Sequence, residues 1–141
     1  MLNQEELNRV VESIRAAEGQ TSAEIRVCIA KKCTGNPMEM AYKKFKSLKM
    51  DTTAQHNSVL IYVAPDDHKV AVIGDSGINE AAREGFWDAV LDDMLSYFKD
   101  ERICDGICQG VGKVGELMKA RYPVAEDDVN ELCDDVVFDE E

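Results

Sequence analysis

No stretch of this 141-residue sequence approaches the roughly 20 apolar residues that cross a bilayer, and its opening, MLNQEELNRVV, has neither the basic nor the apolar region of a leader. A soluble, cytoplasmic protein without direct membrane insertion is the expectation. Basic residues are also scarce. Lys and Arg number 16 against 28 Asp and Glu, a formal charge of −12, and no basic stripe is present to neutralise phosphates, so nucleic acid and anionic membranes are excluded as partners. Nine of those acids lie in residues 126–141, where there is no basic residue, so the acidity belongs mainly to the tail. Cys28, Cys33, Cys104, Cys108 and Cys133 are odd in number and none of their spacings is Cys-x-x-Cys, which argues against a zinc or redox motif. Histidine is limited to His56 and His68, each alone beside a turn and read as solvated. There is no internal repeat and no low-complexity linker, and the length suits one domain.

What is present is most informative over residues 57–79, NSVLIYVAPDDHKVAVIGDSGIN. Two β-branched and apolar runs, Val59 to Val63 and Val70 to Ile73, flank Pro65-Asp66-Asp67-His68, whose proline and aspartates supply turn chemistry. This predicts an antiparallel hairpin buried on both faces. Its second strand leaves through Gly74-Asp75-Ser76-Gly77, where glycines allow a sharp exit or close approach to backbone amides. Upstream, Asn3 and Glu6 form a capping box, and Leu7, Val10, Val11, Ile14 and Ala17 repeat at helical spacing up to Gly19. Ile25, Val27 and Ile29 alternate with Glu24, Arg26 and Cys28, the pattern of a half-covered strand near a sheet edge. Asn36-Pro37 caps and starts a second helix. Residues 84–99 and 103–121 predict two more, with Gly106 and Gly110 on adjacent turns marking close packing.

The order α-β-α-β-β-α-α predicts a small mixed β-sheet flanked by α-helices on both faces, a Rossmann-like three-layer α/β fold, over residues 1–124. Residues 125–141 form an acidic C-terminal tail. Its Val129, Leu132, Val136, Val137 and Phe138 predict that it docks in part, on this chain or on a partner.

Three motifs in order, residues 17–27 (AEGQTSAEIRV), 57–63 and 74–79, resemble the TPM domain, and the resemblance runs over about residues 3–122. The family takes its name from a thylakoid-lumen protein, a photosystem II repair factor and a modulator of acetylcholine receptors. The ending DDVNEL at residues 127–132 is similar to that of short, soluble bacterial members. The resemblance implies a mixed sheet with helices on both sides. For activity it implies either an acid phosphatase with calcium binding, as in the thylakoid branch, or protein contact, as in the receptor-modulator branch. Two departures matter: Ser58 stands where a glycine is usual, and His68 where an arginine is usual in the turn. Losing a fixed guanidinium fork weakens phosphate gripping.

Strand polarity separates two ends of the sheet. Cys33, Thr34, Gly35, Asn36, Asp66, Asp67 and His68 belong to the carboxyl end of the parallel pair, where open α/β sheets commonly bind ligands. Glu24, Asn57 and the Asp75 loop lie opposite, and the family-like residues crowd there. Asp75 and Glu24 are therefore the candidate catalytic acid/base groups, and Asn57, Gly74, Ser76, Gly77 and Asn79 the candidate ligand edge. Asp75, Glu18 and Glu24 are candidate ligands for calcium or magnesium, which take oxygen donors. The competing reading is that Asp75 caps the following turn, Glu24 is a solvated strand residue and Asn57 tethers a loop. Without a histidine or arginine in support, the preferred expectation is an interaction or accessory module with a protein partner, a membrane-anchored relative among the candidates. The alternative is a divalent-cation-assisted acid phosphatase.

Overall fold

A computed structural model of the chain describes residues 2–123 and 136–139. Helix α1 (Gln4–Glu18) starts on the expected capping box: Asn3 accepts from the Glu6 amide and Glu6 reaches back to the Asn3 amide. Strand β1 (Glu24–Ala30) follows, then α2 (Pro37–Ser47), capped by the Asn36 side chain on the Met38 and Glu39 amides. The hairpin comprises β2 (Ser58–Ala64) and β3 (Lys69–Gly74), joined by a short 3-10 turn at Pro65–Asp67. Helices α3 (Ser76–Ala81), α4 (Phe86–Lys99) and α5 (Ile103–Arg121) come next, and a strand, β4 (Val136–Asp139), closes the described chain.

The sheet has four strands in the order β3-β2-β1-β4. β1 runs parallel to β2, with Glu24 opposite Ser58 and Ile29 opposite Val63. β3 is antiparallel to β2. The expectation that β1 lies near an edge is corrected: it is an inner strand, paired on its far side with β4, and buried at every position. The alternation that suggested a half-covered strand is real, but Glu24 and Arg26 on its polar face are themselves buried, each 5% exposed. β4 comes from the acidic tail, so Val136–Asp139 docks on this chain, as a parallel strand. Val129 and Leu132 lie outside the described residues.

Helices cover both faces. Ile25, Val27 and Ile29 with Val59, Ile61 and Val63 face α1, α4 and α5 across the larger core, which holds Phe98, Met94 and Ile107. Each such side chain, fully buried, contributes about 1.5–3 kcal/mol. Cys28, Ala30, Leu60 and Tyr62 face the opposite way, toward Ala41 and Phe45 of α2. The two glycines of α5 have the expected packing reason. A Cβ on Gly106 would meet the Phe98 ring at 2.8 Å, and one on Gly110 the Met94 sulfur at 2.5 Å. α4 can therefore approach α5 more closely than any side chain there would allow.

Candidate functional site

The amino end of the parallel pair gathers the buried polar residues of the described chain: Thr21, Glu24, Arg26, Thr53, Asn57 and Ser58. The Thr21 hydroxyl donates to the Tyr122 carbonyl and, at 3.1 Å, to that of Met118, and so ties the start of β1 to the end of α5. Ser58 donates to the Met50 carbonyl. Arg26 Nε and Thr53 Oγ1 are buried without a hydrogen-bond partner among the described residues. Glu24 opens β1 and Asn57, 3% exposed, sits just before β2.

The loop leaving β3 closes this end. Asp75 is the N-cap of α3: its carboxylate accepts from the Ser76 amide at 2.9 Å, and its own amide donates to Ser58 O at 3.0 Å. That is the capping role weighed against catalysis in the sequence. The absence of a supporting histidine is corrected, however. His56 Nδ1 lies 3.1 Å from Asp75 Oδ2, with 55% of the His56 side chain and 13% of the Asp75 side chain exposed. Nothing in the linear spacing announced this pair. His56 reaches it from a left-handed backbone position, φ 51°, placed by the β2-β3 register.

The other loop residues are engaged within the fold. The Asn79 side-chain amide donates to Gly74 O at 2.8 Å, and its oxygen accepts from Trp87 Nε1 at 3.1 Å. Gly77 donates its amide to His56 O at 2.8 Å. A Cβ there would lie 2.5 Å from the Tyr122 hydroxyl and 2.6 Å from Gln55 O, and one on Gly74 would lie 2.8 Å from Trp87 Cζ2. These glycines serve internal packing. The place of Trp87 and Tyr122 over the loop follows only from the tertiary fold.

The candidate cation ligands fit a hard cation poorly. One Glu18 oxygen accepts from the Ile25 amide at 3.1 Å, and Asp75 is shared between Ser76 and His56. Among the described residues no three Asp, Glu, His or Cys side chains gather as metal ligands, whereas calcium takes six to eight oxygens. Burial raises the Cys28 and Cys104 thiols to about 11, which makes these two poor nucleophiles.

The carboxyl end is arranged differently. Asp67 does not bond its own turn but accepts from the Cys33 amide at 2.7 Å, and Lys69 Nζ donates to Cys33 O at 3.3 Å. His68, also left-handed at φ 51°, places Nε2 3.3 Å from Glu101. Near it, Arg9 and Arg102 hold Asp105 at 2.6 and 3.0 Å and draw its carboxyl below the usual value, Arg9 most.

No helix among the described residues is long and apolar enough to cross a membrane. Among curated proteins, none matches the chain. The NMR structure of BA42 protein from the psychrophilic bacterium Bizionia argentinensis is similar at 36% identity and TM-score 0.88, covering 98% of this chain and 95% of that one. Two N-terminal domains solved by NMR share the fold alone. One, of cg2496 protein from Corynebacterium glutamicum, has 10% identity and TM-score 0.67, covering 93% of this chain and 82% of that one. The other, of a P. gingivalis protein, has 14% identity and TM-score 0.70, covering 89% and 82%. The TPM domain model matches residues 1–117, and the chain belongs to the TPM domain family.

Proposed function

We propose that this chain is an interaction or accessory module that works by contacting a protein partner. The observation that carries the reading is the internal use of the family-like loop. Asp75 caps α3, Asn79 links Gly74 to Trp87, and Gly77 is packed beneath Tyr122. A catalytic loop would leave an acid, a base and a cation converging on open space. One observation favours the second reading, an acid phosphatase: the Asp75–His56 pair has the form of a carboxylate orienting an imidazole.

The two readings part on phosphomonoester hydrolysis, measured from acidic to neutral pH with and without calcium or magnesium. For an interaction module, wild type and Asp75→Asn give the same background rate. Turnover that Asp75→Asn removes would replace this reading with the phosphatase one.

A further inference from the structure

The two edges of the sheet are finished unequally. β1 is closed by β4, whereas β3 has a strand on only one side among the described residues. In an antiparallel pair, residues alternate between exchanging hydrogen bonds with the partner and pointing away from it. The Asp75 amide donates to Ser58 O, which sets the phase: Ile73, Ala71 and Lys69 turn their backbone groups to β2. Val70, Val72 and Gly74 therefore turn theirs outward. The Gly74 carbonyl is taken by Asn79, and no other described residue bonds the amide or carbonyl of Val70 or Val72.

This outward edge forms the floor of a groove of about 730 Å³ between α2 and α4, with Met38 and Tyr42 on one wall and Trp87 and Leu91 on the other. Met38 and Tyr42 are two of three large apolar side chains left exposed in the described chain, at 47% and 53%. Edges are normally protected by proline, a bulge or charge. From Val70 to Gly74 this one has none, and its pairing with β2 is unbroken.

We infer that this groove binds an extended segment of a protein partner, apolar at its centre and basic at its flanks, which adds to the sheet beside β3. The inference rests on the interaction-module reading and gives it a site. Backbone bonding to an edge supplies affinity, and side chains on alternate faces of the added strand meet the two apolar walls. Charge decides the occupant. Among the lining residues the acids Glu84 and Asp88 outnumber the one base, Arg83, so a cationic segment is favoured. A second copy would bring the same acidic rim, Glu84 and Asp88, to the groove and lacks that complementarity.

The test uses the full chain and an array of immobilised nonapeptides with β-branched or aromatic centres, flanked by lysine and arginine or by glutamate. Affinities of the best binders are then measured in solution. The expected result is binding by basic-flanked peptides that falls about tenfold in Val72→Pro, as loss of backbone hydrogen bonds predicts. Proline suits an edge position whose amide points outward, so the ladder to β2 survives. Because Val72 also packs in the core, Tyr42→Glu, altered at an exposed wall, provides the second variant and should weaken binding as well. The inference is overturned by no binding on the array, by binding that both folded variants retain, or by preference for acidic flanks. A dimer that Val72→Pro dissolves would assign the edge to a second copy and overturn it too. Failure here leaves the module reading intact unless Asp75-dependent hydrolysis also appears.

Discussion

The two ends of the sheet are fastened by different physics. At the amino end the fastening is buried and mostly neutral: Thr21 to the last turn of α5, Ser58 to Met50, Gly77 under Tyr122. At the carboxyl end it is largely ionic and half open to water: Arg9 and Arg102 on Asp105, His68 beside Glu101, Asp67 on the Cys33 amide. Exposed ion pairs contribute little and are screened by salt, whereas buried hydrogen bonds and close packing are costly to disturb. The end that carries the family-like residues is thus the stiff one. This is why its motif residues read more readily as scaffold than as machinery.

The comparison is broken most severely at Gly77. In Gly77→Val the Cβ would press on the Tyr122 hydroxyl at 2.5 Å and on the Gln55 and His56 carbonyls at 2.6 and 2.7 Å. Two of these neighbours are backbone and cannot swing aside. Overpacking of this kind costs about 3 kcal/mol, and the melting temperature should fall accordingly. A variant as stable as wild type would show that the amino end yields more readily than its packing implies.

An intermediate effect is expected at the other end. Asp67→Ala leaves the Cys33 amide without its carboxylate, a charge-assisted bond of 2.7 Å, and should cost about 1–2 kcal/mol. Asp67→Asn keeps an acceptor and should lose less in denaturant unfolding. Equal losses for the two variants would mean that this bond is not what stabilises the turn.

Much of this contrast was legible in the residues, and the limits are instructive. Capping at Asn3 and Asn36, the hairpin, and the glycine face of α5 are local patterns, each set by neighbours within a few positions. The inner position of β1 was not legible, because it depends on a four-residue strand more than 100 residues away whose acidic setting masks it. Nor was the burial of Glu24, weighed as a solvated strand residue, legible in the alternation. The candidate site divides the same way. Asp75 announced its capping role by standing before Ser76, but His56 and Trp87 join the loop through strand register and helix packing.

The smallest and most discriminating effect is that of acid. Arg9 above all, with Arg102, lowers the Asp105 carboxyl from its ordinary value of 3.8 in the folded chain. A carboxyl depressed on folding contributes stability that is complete above its unfolded value and lost as pH falls through its folded one. Stability at neutral pH should therefore include this contribution, and acid below the ordinary carboxylate range should remove it. Asp105→Asn should lower stability slightly at neutral pH and make no further difference in strong acid. Salt should narrow the same gap, because the side chains are 51% and 57% exposed for Arg9 and Arg102. Hydrogen exchange followed down the pH scale would show α1 and the first turn of α5 opening before the Gly77–Tyr122 end. The reverse order would mean that the ion pairs are incidental to how the carboxyl end is held.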